Sequence, residues 1–369
     1  MIYLDYQAST PLAPEAREAM LPWLEQFGNP HSSHRPGREA KAAIEVATAQ
    51  IASALGDRDG QGRLILTSGA TEAANWALQG AVAGTRRKIV TLATEHACVL
   101  DTAEWLADRN VELIVLPVLG NGLVDLDAAA DAIDERTALV AAMLVNNEIG
   151  VIQPVAELAR LAHKAGALFF CDAVQGFGRI DLPLDACDLV AVSAHKIHGP
   201  KGIGALWLRG GLDWPAMIHG GGQQQGLRSG TLSPMLCVGF GVAAAIAEQR
   251  REQDRIHINE LSTIADKLFH DWILNGDGIH RYRGNRNLRC DGVDSSRLIS
   301  DVRDVAFSAG SACASGSGRP SHVLRALGLS DAEARSSIRL GFGRYTTQEE
   351  LREAAALINH AAARQLEWA

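Results

Sequence analysis

Between residues 37 and 55, apolar side chains recur at helical spacing. Ala40, Ile44, Ala47, Ile51 and Leu55 fall on one face, which predicts an amphipathic helix. After it the pattern changes to short apolar runs separated by helical stretches. The runs predict strands over 64–66, 88–92, 112–117, 139–145, 167–171, 189–193 and 204–208. The stretches between them predict helices over 71–83, 99–109, 126–133 and 155–165. Strands alternating with helices predict an α/β protein: a mostly parallel sheet covered by helices on both faces. In such a sheet, reactive groups gather beyond the carboxyl ends of the strands. A long helical stretch follows, from about 232 to 270. The segment from His280 to Arg289 is basic and polar, and it reads as a solvated loop.

Composition narrows the function classes. With 369 residues the chain is long enough for two domains with sizeable cores. Its net charge is −8 and it has no basic block, which argues against nucleic acid as the main partner. The longest apolar run, 138–145, is too short to cross a bilayer, and the N-terminus lacks the pattern of a signal peptide. The six cysteines include no C-x-x-C pair, so spacing suggests neither a zinc nor an iron–sulfur cage, and no metal is expected. Free thiols in a chain of this size fit a reducing cytoplasm. Cys98, Cys171, Cys187 and Cys237 have apolar neighbours, so core packing is expected of them.

Three places carry candidate chemistry. Lys196 follows the buried run 189–193 and precedes a Gly/Pro-rich turn. A lysine withdrawn from water loses its proton more easily, and a neutral amine is what a Schiff base with an aldehyde cofactor requires. A solvated lysine at a strand end is the plainer reading of that residue alone. Asp172 ends another apolar run, with Gln175 just beyond it. A pyridoxal ring needs a carboxylate at its pyridinium nitrogen, although an aspartate here also suits a cap or turn. Third, Thr67-Ser68-Gly69-Ala70-Thr71-Glu72 runs from strand to helix. Gly69 lets the backbone approach an anion, and the helix start offers free N–H groups for a phosphate. Ser193 and His195, beside the lysine, could complete such a cup. A capped helix start without a ligand is the alternative.

Taken together, these runs resemble the NifS/IscS-like cysteine desulfurases of the class V aminotransferase family. Further matching runs are Ile2-Tyr3-Leu4-Asp5-Tyr6, Phe27-Gly28-Asn29-Pro30, Thr94-Glu95-His96 and Val145-Asn146-Asn147-Glu148-Ile149-Gly150. The order continues through 193–204, Arg228-Ser229-Gly230-Thr231, Ser308-Ala309-Gly310-Ser311-Ala312-Cys313 and Ser336-Ser337-Ile338-Arg339.

The resemblance implies the fold-type I pyridoxal-phosphate transferase architecture, with a mostly parallel central sheet and a smaller α/β domain. Residues 16–245 would form the large domain; 1–15 and 246–369 would form the small one carrying the cysteine loop. It implies pyridoxal 5′-phosphate as cofactor. Lys196 would hold it, with Asp172 on the ring nitrogen, Gln175 on the ring hydroxyl and His96 stacked on the ring. Ala70, Thr71, Ser193 and His195 would bind the phosphate, joined by Thr231 from the second subunit of a homodimer; Arg228 matches nearby. Arg339, helped by Asn147, would bind the carboxylate of L-cysteine. Cys313, in a Ser/Gly-rich stretch that suits a mobile loop, would accept the sulfur as a persulfide. L-Alanine would leave, and a sulfur-accepting protein would carry the sulfur to iron–sulfur cluster assembly or to thiolation of tRNA or cofactors. A selenocysteine lyase or another enzyme of the same fold is the alternative; a non-catalytic scaffold is further off.

Overall fold

The alternating strands assemble into one sheet of seven in the order Gly62–Thr67, Gly204–Arg209, Leu189–Ser193, Leu168–Asp172, Thr137–Met143, Lys88–Leu92 and Glu112–Leu116. The structure is a computed structural model that describes residues 1–310 and 320–367. All strands of this sheet run parallel except Gly204–Arg209, which is antiparallel to both neighbours. The strand Thr137–Met143 explains why the sequence shows continuous apolar runs rather than alternation. Every one of its residues is buried. Val140 and Ala142 join the core on one side of the sheet, while Leu139 and Ala141 join the core on the other. The helices Ala70–Ala81 and Ala97–Ala107 cover one side; Arg35–Leu55, Val155–Lys164 and Pro234–Leu268 cover the other.

The reversed strand matters for the site. Its first residue, Gly204, lies level with Thr67 on one side and Ser193 on the other. A Cβ at Gly204 would sit 2.6 Å from the Val192 carbonyl oxygen and 2.8 Å from Gly69 Cα. Backbone cannot yield to such contacts, so glycine here lets the Gly69 loop lie down on the sheet edge.

A second sheet of four antiparallel strands runs in the order Ser308–Ala309, Ser337–Gly341, Asn285–Arg289 and Ile273–Leu274. The N-terminal arm belongs beside it: Ile2–Tyr3 pairs in parallel with Val305–Ala306, and Asp5 bridges to Gly341. The helix Pro234–Leu268 runs unbroken through residue 245, where the sequence suggests a domain division.

The segment 280–289 is not a solvated loop. Asn285–Arg289 is an inner strand of the second sheet, with Arg286 and Asn287 almost wholly buried. Its polar side chains hide the strand from a hydropathy reading, yet Arg286 and Asn287 both find partners elsewhere in the fold. Arg286 pairs with Asp266 at 2.7 Å. Asn287 accepts from Asn275 at 2.8 Å and donates to the Glu148 carbonyl at 3.2 Å. Buried polar groups are tolerated when bonded in this way. Only the neighbouring 278–280 and Arg283 are exposed.

Candidate active site

At the carboxyl ends of the parallel strands lies a cavity of about 490 Å³. Ala70, Thr71, His96, Asn147, Asp172, Gln175, Ser193, His195, Lys196 and Arg339, which lie far apart in the sequence, all line it. Thr231 is exposed and does not line this cavity within the chain. Cys313 lies outside the described residues.

One end of the cavity is built for an anion. The helix Ala70–Ala81 begins after Gly69 with no side chain capping it. Its first N–H groups and the positive end of its dipole are therefore available to a phosphate. Glu72 would oppose a phosphate there, but its charge is already engaged. It accepts from Ser68 N at 2.8 Å and pairs with Arg228 at 2.9 Å. Burial alone would raise the Glu72 carboxyl; the Arg228 and Ser68 bonds hold it below its usual value. Arg228 thus has a definite position, bracing the loop against the helix start. His195 stands across the cup, its Nδ1 3.3 Å from Ser9 Oγ. Burial, then the nearby Lys196 and Lys201, lower its pKa to about 4. It is a neutral imidazole near pH 7, able to donate to an oxyanion without titrating.

The other end holds the amine and the carboxylate. Lys196 sits in the turn Ala194–Lys196, just past the strand Leu189–Ser193, and is half-buried rather than buried. Its Nζ donates to the carbonyls of Gln7 (2.5 Å) and Ala8 (2.9 Å), both in the N-terminal arm. Asp172 ends its strand buried, with Oδ1 accepting from Val174 N at 3.0 Å. Burial pushes its carboxyl up; His96 and Lys196 partly offset that. A buried carboxylate short of compensating charge suits a pyridinium nitrogen. His96 caps the helix Ala97–Ala107, its Nδ1 accepting from Cys98 N at 3.1 Å, which leaves the proton on Nε2. Gln175 is buried, and its amide donates to the Gln7 carbonyl at 2.9 Å. The uncapped helix start, the buried Asp172 and the amine of Lys196 together fit pyridoxal phosphate.

Arg339 lies in the strand Ser337–Gly341 of the second sheet and is buried. It donates to Asp5 at 2.8 Å and to the Asn147 carbonyl at 3.1 Å, while its Nε is buried without a partner. The Asp5 contact explains how a guanidinium stays buried, and it joins the N-terminal arm to the site.

Three features were not legible in the sequence. Gln7 and Ala8 act through backbone carbonyls, which no side-chain motif reveals. Cys98, expected in the core, is instead half-buried and lines the cavity, because His96 places the start of its helix at the strand edge. Burial pushes its thiol up, so it is a poor nucleophile. Cys171, Cys187 and Cys237 are buried as expected. Glu148, finally, accepts from Ser321 Oγ at 2.5 Å, and His322 meets the Glu95 carbonyl at 2.9 Å. The chain therefore resumes after residue 319 with its first residues fixed beside Asn147 and His96.

His198, two residues beyond Lys196, gives a pH test of this turn. It has a left-handed backbone (φ 69°) and is buried, with Nδ1 2.8 Å from the Pro11 carbonyl. Burial first, then Arg344, lowers its pKa to about 3. The unfolded chain takes up a proton near pH 6.5 and the folded chain does not, so stability is lost as pH falls below about 6.5. Asparagine tolerates this backbone and can donate to Pro11, but it does not titrate. His198→Asn is expected to be less stable at pH 7, with its deficit shrinking by pH 5, as measured by denaturant midpoints. A deficit equal at both pH values would contradict the buried neutral histidine.

The chain is similar to several known proteins. The sequence model of the aminotransferase class-V family matches residues 2–353. A relative named cysteine desulfurase IscS, from Rickettsia bellii (strain OSU 85-389), is 44% identical over 370 residues, covering 97% of this chain and 90% of the relative. Among solved structures, a NifS-like protein superposes with a TM-score of 0.91 at 30% identity, covering 98% of this chain and 99% of its own. Another, described as SspA in complex with cysteine, has a TM-score of 0.81 at 34% identity, covering 94% of this chain and 100% of its own.

Proposed function

The chain belongs to the aminotransferase class-V family and is a pyridoxal-phosphate-dependent cysteine desulfurase, and on that footing we propose how its own residues divide the work. The observation that carries the assignment is the convergence of Lys196, Asp172 and the uncapped helix start at Ala70 on one cavity. When bound, pyridoxal phosphate supplies an aldehyde that captures amines and a ring that accepts electrons from the substrate.

Lys196 holds the cofactor through its amine and, once displaced by substrate, moves the proton at the substrate Cα. Asp172 keeps the ring nitrogen protonated. His96 covers the ring face, and Gln175 contacts the ring hydroxyl. Ala70, Thr71, Ser193 and His195 hold the phosphate. Arg339 and Asn147 orient the carboxylate of L-cysteine; a guanidinium fork suits that planar group. The solved relative described in complex with cysteine supports the substrate.

Cys313 takes the sulfur. Its thiolate forms an S–S bond with the substrate sulfur as the Cβ–S bond breaks, and the bonding pair stays with carbon. Carbon is reduced and sulfur oxidised, so no external redox partner is needed. Protonation at Cβ and Cα releases L-alanine, and Cys313 keeps a persulfide. The described chain on either side supports this role. Ala309 pairs with Ile338, next to Arg339, and Ser321 is bonded to Glu148, next to Asn147. Both ends of the intervening segment are thus tied to the substrate end of the cavity.

The active form is a homodimer, with Thr231 reaching the phosphate of the partner's site. Arg228, bound to Glu72, holds that segment at the surface near the cup. No helix among the described residues is long and apolar enough to cross a membrane. The reading places the enzyme in the cytoplasm, handing sulfur to an acceptor protein for cluster assembly or thiolation. The test is cofactor-loaded protein with L-cysteine and dithiothreitol. Alanine and sulfide are expected in equal amounts, with no sulfide from cysteine when the cofactor is stripped. Retained cofactor with no alanine would overturn the reading.

A further inference from the structure

A second cavity, of about 580 Å³, lies behind the turn that carries Lys196, walled by the helix Pro234–Leu268 and by residues 178–181 and 281–283. It shares only Lys196 with the catalytic cavity. Seven arginines line it, against four carboxylates. Each carboxylate already has an arginine. Asp181 pairs with Arg251 at 2.8 Å, Glu248 with Arg58 at 3.0 Å, Glu252 with Arg255 at 2.5 Å and Asp254 with Arg344 at 2.8 Å. Arg179, Arg281 and Arg283 remain, and none of them forms an ion pair with a carboxylate among the described residues.

Of these, Arg281 is inside the protein, Arg179 is half-buried and Arg283 is exposed. Arg281 is 4% exposed and donates only to carbonyls, those of Asp277, Ile149 and Asn285. Its Nε is buried with no partner. Arg344, with a side chain only 5% exposed, likewise has a buried Nη1 without a partner. Burial first, then the like charges of Arg286 and Arg283, lower the Arg281 pKa to about 9. Arg179 is spent on the carbonyls of Lys196 (2.7 Å), Gln175 and Tyr6, and lies over the Tyr282 ring.

Uncompensated guanidinium groups are costly to bury, and N–H donors without acceptors add to that cost. A chain of net charge −8 has no general excess of cations to place here. We propose that this cavity is a binding site for a small multivalent oxyanion, carried on phosphate or carboxylate groups, held by Arg281, Arg283 and Arg344. The exposed Arg283 guanidinium can meet either group bidentately, with the buried positive charges of Arg281 and Arg344 beside it. Arg179 connects the site to catalysis, since the same guanidinium holds the Lys196 carbonyl and the Gln175 side chain.

The test uses cofactor-loaded protein, so that the phosphate cup at Ala70 and Thr71 is filled. Pyrophosphate and citrate are titrated separately by calorimetry at fixed ionic strength, with the cofactor absorbance followed throughout. Saturable binding at one site per chain is expected for at least one of them. Pyrophosphate alone would assign a phosphate-bearing ligand and citrate alone a polycarboxylate. Arg281→Met is expected to weaken binding at least about tenfold, the scale of one lost charge-assisted contact. Arg283 is exposed, so Arg283→Gln tests the same site without disturbing the core. Binding by neither anion, or binding unchanged in both variants, overturns the proposal.

Discussion

Lys196→Ala is expected to abolish desulfurase turnover, by at least about a thousandfold, while leaving a folded protein. Among the described residues, the side chain donates hydrogen bonds to the carbonyls of Gln7 and Ala8. Such bonds are each worth about 1 kcal/mol net. The arm keeps its other ties: Gln7 still donates to the Gly284 carbonyl at 2.9 Å and accepts from Gln175 at 2.9 Å. The loss is therefore chemical rather than structural. On the roles proposed for Lys196, removing the amine takes away the covalent anchor of the cofactor and the proton carrier at the substrate Cα. Non-covalent retention through the helix start and Asp172 remains available. The measurement is borohydride treatment followed by mass analysis: wild type should keep the cofactor covalently and the variant should not. A labelled, active variant would move the role to Lys201, the other lysine that lines the cavity.

Cys313→Ser is expected to separate cofactor chemistry from sulfur transfer. Serine has nearly the same size, but its hydroxyl stays protonated and is a weak nucleophile toward sulfur. The groups proposed to hold cofactor and substrate carboxylate lie among the described residues, outside the segment that carries Cys313, so both should still bind. The visible spectrum should still respond to L-cysteine, while alanine output falls on the order of a thousandfold. Alanine production near the wild-type rate would remove Cys313 from the mechanism. The next thiol to test is then Cys98, which lines the cavity, rather than Cys290, which does not.

The sheet was readable because its inner strands are buried on both faces. Runs such as Leu189-Val190-Ala191-Val192 announce themselves, and two of the strands expected from sequence, 88–92 and 189–193, have the observed limits. The cavity residues Asp172 and Lys196 were readable for a related reason. Asp172 and Lys196 follow apolar runs directly, so strand prediction also locates the site. Polar burial was not readable. The strand Asn285–Arg289 carries Arg286 and Asn287, and only their distant partners Asp266, Asn275 and Glu148 make a strand of that composition possible. Such pairing is long-range information that no local pattern contains. Cys98 escaped for the opposite reason: its neighbours are apolar, but its helix starts at the cavity, and the His96 cap turns it there. Backbone acceptors such as the Gln7 carbonyl leave no trace in residue type.

Sulfur is expected to leave L-cysteine for Cys313 in a site organised by Lys196 and Asp172. This transfer is tested most directly by mixing cofactor-loaded enzyme with isotopically labelled L-cysteine in the absence of reductant. The protein is then digested and the Cys313 peptide weighed while free alanine is counted. The expected result is one labelled sulfur added to that peptide for each alanine released in the first turnover. Alanine released with no labelled sulfur on Cys313, or with the label on another cysteine, would contradict it.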